Sequence, residues 1–136
     1  MSAQAQFIAL DGSGNPENFD TLTNSGTGSN LPNGWYFSET SASHPTTYAA
    51  DDGTAISGDV YSYGSSGSAE RAFGSIRSGS NAPTIGARIQ NTSGSAFADL
   101  PLQYIGEQWR LGTAGRADRL DFQYSVNATR LPDAGA

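Results

Sequence analysis

Hydrophobic residues recur at every second position in several short stretches of this chain, and the three-and-four spacing of an amphipathic helix is missing. Leu120, Phe122, Tyr124 and Val126 alternate with Arg119, Asp121, Gln123 and Ser125, the strongest strand pattern present. Ile105, Glu107, Trp109 and Leu111 share a face opposite Gly106, Gln108 and Arg110, and Leu100, Leu102 and Tyr104 alternate just before them. The parity changes between Tyr104 and Ile105, which predicts a bulge. Ile85, Ala87 and Ile89 alternate with Gly86, Arg88 and Gln90, so that strand has one buried face. Asp59, Tyr61 and Tyr63 oppose Val60 and Ser62, and Arg71, Phe73 and Ser75 extend the pattern. Earlier in the chain, Gln6 to Leu10 predicts an edge strand, Trp35 to Phe37 a core strand, and Thr47 to Ala49 a short one. Asn18 to Leu22 predicts a single helical turn.

Between these stretches lie glycine, serine, asparagine and proline. Asp11-Gly-Ser-Gly-Asn-Pro, Gly64 to Ser68 and Asn91 to Ser95 all have turn chemistry. Gly112 to Asp118 would join the last two strands as a hairpin. Short alternating strands and frequent turns predict an all-β chain, a β-sandwich with jelly-roll-like antiparallel sheets, in one domain spanning residues 1–136.

Composition narrows the partners. A chain of 136 residues, 36% hydrophobic and 15% charged, can bury one modest core between two sheets. The net charge is -6, from thirteen acidic residues against seven arginines and no lysine. The arginines are scattered among carboxylates, which makes nucleic acid a poor partner. The lack of cysteine excludes disulfides, thiolate nucleophiles and zinc knuckles while leaving the compartment open. No apolar run approaches the roughly 20 residues of a membrane helix, so membrane insertion is not expected. MSAQAQFIAL has neither the basic start nor the long apolar stretch of a signal peptide, so a secreted chain would be in its mature form here, and Ala3 to Ala5 reads as a plain flexible terminus in preference to the remainder of a cleavage region.

Nucleophilic catalysis finds little support, because the sole histidine, His44, sits beside Pro45 in a polar loop. A glycosidase would need two facing carboxylates, and the candidates are Glu107 with Glu39, Glu70 or Asp121. Parity separates Glu107 from Asp121, so Glu107 is expected as a core-side carboxylate neutralised by Arg71. Trp35 and Trp109 are expected in the core. If the last two strands pair, Gln108 and Arg110 lie beside Arg119, Asp121 and Gln123 on one sheet surface. Such a patch suits sugar hydroxyls, with Tyr61 and Tyr63 available to stack on apolar sugar faces. The plainer alternative is a solvated sheet face with both tyrosines in the core. Calcium could be held by Asp11, Asn15 and Glu17, or by Asp51, Asp52 and Asp59, where ordinary Asx turns are the competing reading.

Three segments are distinctive: PNGWYFSET (Pro32 to Thr40), GSAERAFGSIRSGS (Gly67 to Ser80) and IGEQWRLGTAGRADRLDFQYSVNAT (Ile105 to Thr129). With FDTLTNSGTGSNLP before them, they resemble a β-sandwich domain of large secreted bacterial proteins. That domain typically precedes endonuclease/exonuclease/phosphatase or lamin-tail modules, or sits in anchored cell-surface proteins. The resemblance spans about Phe19 to Thr129 and implies a secreted, accessory role with no catalytic residues to carry over. In that family further strands follow the one matching Leu120 to Val126, whereas here the sequence ends soon after, which implies either a truncated version of the domain or one shortened to a minimal sandwich, with an unpaired edge in both cases. The leading expectation is a non-catalytic extracellular module that binds a polysaccharide or cell-surface component, or acts as a spacer. A glycan-directed hydrolase and a structural assembly subunit, including an edge-strand homo-oligomer, are the alternatives.

Overall fold

Val60 and Ser62 point to one side of a five-residue strand and Tyr61 and Tyr63 to the other, yet all four are buried. A strand covered on both faces must lie inside a sheet and between layers. In the computed structural model, which describes residues 6–41 and 46–131, this strand is the centre of the fold. Ala3 to Ala5, His44 and Pro45 lie outside the described residues.

In chain order the strands are β1 (Ile8–Leu10), β2 (Thr27–Gly28), β3 (Trp35–Ser38), β4 (Tyr48–Asp51), β5 (Asp59–Tyr63), β6 (Ala72–Ile76), β7 (Thr84–Ala87) and β8 (Ile89–Asn91). One sheet has the order β2-β4-β5-β6, and β1-β8 and β3-β7 form two-stranded pairs. β1 and β3 are joined through side chains, with Asn33 Nδ2 donating to Phe7 O at 2.8 Å and Tyr36 Oη to Gln6 O at 2.7 Å. The chain is all-β, with several sheets consistent with a β-sandwich. β1-β8 and β4-β5 are parallel, so the pairing is mixed rather than wholly antiparallel as expected.

The core lies between the four-stranded sheet and β3. Leu22, Tyr48 and Val60 are its buried centre, and Phe19, Leu31, Phe37 and Phe73 pack around them. The aromatic rings meet edge-on: Phe37 with Tyr48 at 6.4 Å, Phe37 with Phe73 at 6.3 Å and Tyr48 with Phe73 at 6.1 Å, the arrangement that ring quadrupoles favour. Tyr48 Oη donates to Asn30 O at 2.7 Å, which satisfies the one polar atom of this ring. Instead of a helical turn at Asn18 to Leu22, the chain makes a tight turn, with Leu22 N donating to Phe19 O at 3.0 Å.

The expected strand from Ile85 to Ile89 is divided at Arg88. Its N–H donates to Gly34 O and its carbonyl accepts from Ile8 N, both at 2.8 Å, so one residue joins the β3 side to the β1 side. Strand β2 was not visible in the sequence, because its two residues are too few to show alternation.

The larger departure lies beyond β8. Leu100 to Tyr104, Ile105 to Leu111 and Leu120 to Val126 form no strands. The chain does turn back at Thr113 to Arg116, where Arg116 N donates to Thr113 O at 3.2 Å and Gly115 takes the positive φ of 79° that a type II turn requires. Tyr104 and Phe122 stack at 6.5 Å and 14°. The shape is that of a hairpin, but no ladder joins its arms. Among the described residues this turn makes the sole backbone–backbone hydrogen bond between 96 and 128. Alternation reports only which side chains share a face; a strand also needs a backbone alongside it.

This excursion touches the sandwich at defined points. Trp109 lies flat on Tyr63, with ring centroids 6.2 Å apart and planes 7° apart, and closes the outer face of β5. Its carbonyl sits where a Cβ on Gly53 would be, and Gly53 has a φ of +96°. Leu131 occupies the space where Gly86 has no side chain.

Candidate functional site

The loop after β1 is shaped by its own polar side chains. Asp11 Oδ1 accepts from Ser13 N at 2.9 Å and from Ser13 Oγ at 2.6 Å, an Asx turn that suits the positive φ of Gly12. These bonds, the hydroxyl first, hold the Asp11 carboxyl below its ordinary value. Asn15 Nδ2 donates to Ala9 O at 3.3 Å and to Ser13 O at 3.4 Å, tying the loop back to β1. Glu17 Oε1 accepts from Phe19 N at 2.7 Å.

Phe19 has a φ of 62°, in the left-handed region that costs a bulky residue about 1–3 kcal/mol. Packing holds it there: its ring meets Trp35 edge-on at 4.7 Å and Phe73 at 5.6 Å. Trp35 opens β3 directly after Gly34, whose φ of 80° lets the backbone pass against Ile8.

Loop and strand together enclose a cleft of about 400 Å³, lined by Ile8, Asp11, Asn15, Glu17, Asn33 and Trp35 among others. Asp11 Oδ2, Asn15 Oδ1, Glu17 Oε2 and Asn33 Oδ1 accept no hydrogen bond from any described residue. The indole N–H of Trp35 is shielded from water and likewise has no acceptor among the described residues. Around the cleft, then, are an aromatic side chain and oxygen acceptors in excess, while the indole N–H is turned away from water. A second depression, of about 430 Å³, runs along Thr21, Thr23, Thr27 and Tyr48. It carries no charge, and its phenol is already engaged with Asn30 O and Thr23 N.

Asp11, Asn15 and Glu17, expected as calcium ligands, do come to one place, but they bring only two carboxylates. No group of three His, Cys, Asp or Glu able to hold a metal occurs among the described residues. In the other acidic set, Asp51 accepts from Gly53 N at 2.7 Å and from Ala55 N, Asp52 from Thr54 Oγ1 at 2.7 Å, and Asp59 from Val60 N at 2.8 Å. These are turn-forming carboxylates, and the Thr54 hydroxyl lowers the pKa of Asp52.

The expected sugar patch does not assemble. Tyr61 and Tyr63 are 4% and 6% exposed, which rules out an open stacking platform. Burial, and after it the Asp51 carboxylate, pushes the Tyr63 phenol well up; burial also raises Tyr61, whose hydroxyl donates to Ser57 O at 3.0 Å. Gln108 Nε2 turns to Arg110 O at 3.4 Å, Arg119 and Asp121 form an exposed pair at 3.1 Å, and Gln123 is exposed. None of these side chains stands on a strand.

Glu107 is exposed and accepts from its neighbour Trp109 Nε1 at 2.8 Å, so the expected pairing with Arg71 is absent. Arg71 is indeed buried, but its guanidinium is held by Ser62 Oγ at 2.9 Å and by the carbonyls of Ser62, Ser65 and Asp51. Glu39 is buried against Asn81 Nδ2 at 2.7 Å, whereas Glu70 is exposed. Trp35 and Trp109, expected in the core, are both half-buried at its margins.

Among the cleft residues that sequence reading did not assign to a site, Asn33 and Trp35 bring the polar and aromatic chemistry. The Asn33-Gly34 turn immediately before an aromatic strand is the signal that marks them. Comparison with family models, curated proteins and solved structures finds no match.

Proposed function

We propose that this chain is a non-catalytic accessory module of a secreted protein, and that it binds carbohydrate in the cleft between the Asp11–Glu17 loop and Trp35. The observation that carries the reading is the set of four unengaged oxygens beside an indole. Sugars present hydroxyl donors on their edges and apolar C–H faces, so acceptor oxygens and an aromatic surface are complementary to them. Two carboxylates in the lining, on a chain of net charge -6, favour neutral or amino sugars over acidic glycans. The donor set suits hydroxyl ligands better than calcium, for which two carboxylates are few. The strained backbone of Phe19, beside Glu17 and against Trp35, is the kind of feature that accompanies binding sites. The resemblance of its three distinctive segments to a domain of secreted proteins supports the extracellular setting.

The test is a glycan screen followed by calorimetry on the double variant Asp11→Asn/Glu17→Gln. Both substitutions retain the acceptors that hold Ser13 and Phe19, so the melting temperature should not move. Losing two charge-assisted bonds should weaken binding about tenfold or more. Release of shortened oligosaccharides would favour a hydrolase instead, and absence of binding to any neutral or amino sugar would end the proposal.

A further inference from the structure

The excursion after β8 exposes most of its large apolar side chains. Leu100, Leu102, Tyr104, Ile105, Leu111, Leu120, Phe122, Tyr124 and Val126 are between 48% and 94% exposed. At roughly 150–250 Å² for a whole aromatic residue and less for an aliphatic one, they present on the order of 1,000 Å² to water. Monomeric proteins rarely show an apolar patch beyond a few hundred Å², whereas each side of a stable protein interface covers about 800 Å².

Charge says what kind of partner fits. Residues 96–130 contain Asp99, Glu107, Asp118 and Asp121 against Arg110, Arg116, Arg119 and Arg130, so they are neutral and the whole charge of -6 lies elsewhere. Two copies can therefore meet through this segment without bringing like net charges together. Arg119 and Asp121 already pair with each other at 3.1 Å, and the polar positions that follow, Gln123 and Ser125, are neutral, so a second copy meets no unmatched charge along this stretch. The backbone from 117 to 128 makes no backbone–backbone hydrogen bond with any described residue, which leaves its donors and acceptors available.

We propose that residues 100–126 are a self-association surface, on which a second copy of this chain docks with Leu120 to Val126 pairing as a strand across the interface. Leu120, Phe122, Tyr124 and Val126 would then face their counterparts, and the alternation that finds no partner within one chain finds it in two. This assignment does not depend on the carbohydrate reading, since none of these residues lines the cleft.

Sedimentation over a roughly hundredfold concentration range, paired with amide hydrogen exchange, tests it. The expected result is a concentration-dependent dimer in which amides 117–126 are protected. Phe122→Asp/Tyr124→Asp should weaken association about tenfold or more, and Leu120→Asp/Val126→Asp should do the same. Neither should change the melting temperature of the monomer, because the replaced side chains are exposed. A dimer that survives both variants, or one whose amides 117–126 exchange freely, would overturn the proposal. So would a monomer at all concentrations: protected amides would then mean that the segment closes on its own sandwich, and unprotected ones that the surface serves a different protein.

Discussion

The guanidinium of Arg71 is buried, with 2% of the residue exposed, and its acceptors are Ser62 Oγ and the carbonyls of Ser62, Ser65 and Asp51. Gly64 leaves room for it, since a Cβ there would strike the guanidinium. Removing this side chain strands several buried acceptors at once. Arg71→Ala should lower stability by about 3–5 kcal/mol, read as a lower urea midpoint, and Arg71→Lys should recover only part of it because an ammonium lacks the planar fork. Sequence reasoning placed Arg71 inside but gave it Glu107 as a partner, because charge complementarity can be read from letters whereas carbonyl acceptors belong to every residue alike. Tyr63 supplies a pH dependence. Burial raises its phenol pKa above the ordinary 10.0, so the folded state keeps a proton that the unfolded state releases. The corresponding stability is complete below pH 10 and is lost progressively as the pH rises above it. Alkaline denaturation of the wild type should therefore steepen above pH 10, and Tyr63→Phe should flatten the profile when both are followed by chemical denaturation.

At the level of elements, β5 was legible because Asp59 to Tyr63 alternates, and β3, β4 and β6 emerge within a residue or two of the stretches that predicted them. Their ladders form because strands that fit lie beside them. The Leu120 to Val126 stretch alternates at least as well and forms no strand, since no described backbone is hydrogen-bonded to it. The cleft was legible only in its loop. Asp11, Asn15 and Glu17 carry visible oxygen chemistry, whereas Trp35 resembled any other core aromatic until Asn33 and Gly34 placed it against β1. What ties the excursion to the sandwich is local and can be tested. Gly53 combines a positive φ with the carbonyl of Trp109 in the place of its missing Cβ. Gly53→Ala should cost about 1–2 kcal/mol from backbone strain alone and push Trp109 off Tyr63. Tryptophan emission should shift to the red in that variant, and the shift should vanish in a Trp109→Phe background.

Across the whole molecule, cohesion is uneven. A core centred on Leu22, Tyr48 and Val60, with Phe19, Leu31, Phe37 and Phe73 around it, lies within the first 73 residues, and Trp109 and Leu131 are among the residues by which the last third of the chain touches the body. That division gives the β1-β8 pair a mechanical meaning. β1 and β8 run parallel, in the register Ile8 with Ile89 and Leu10 with Asn91, flanked by bonds from Ile8 N to Arg88 O and from Thr92 N to Leu10 O. Tension on the segments before β1 and after β8 would pull these two strands in opposite directions along their common axis. The ladder is then loaded in shear, and its hydrogen bonds resist together; an antiparallel pair pulled the same way would unzip one bond at a time. Residues 10 to 89 are closed behind that clasp, while the segment from 96 to 128 is held to the body at Trp109 without any ladder and would extend first, so under load the chain should behave as a compliant leash attached to a body that yields only when the clasp slips.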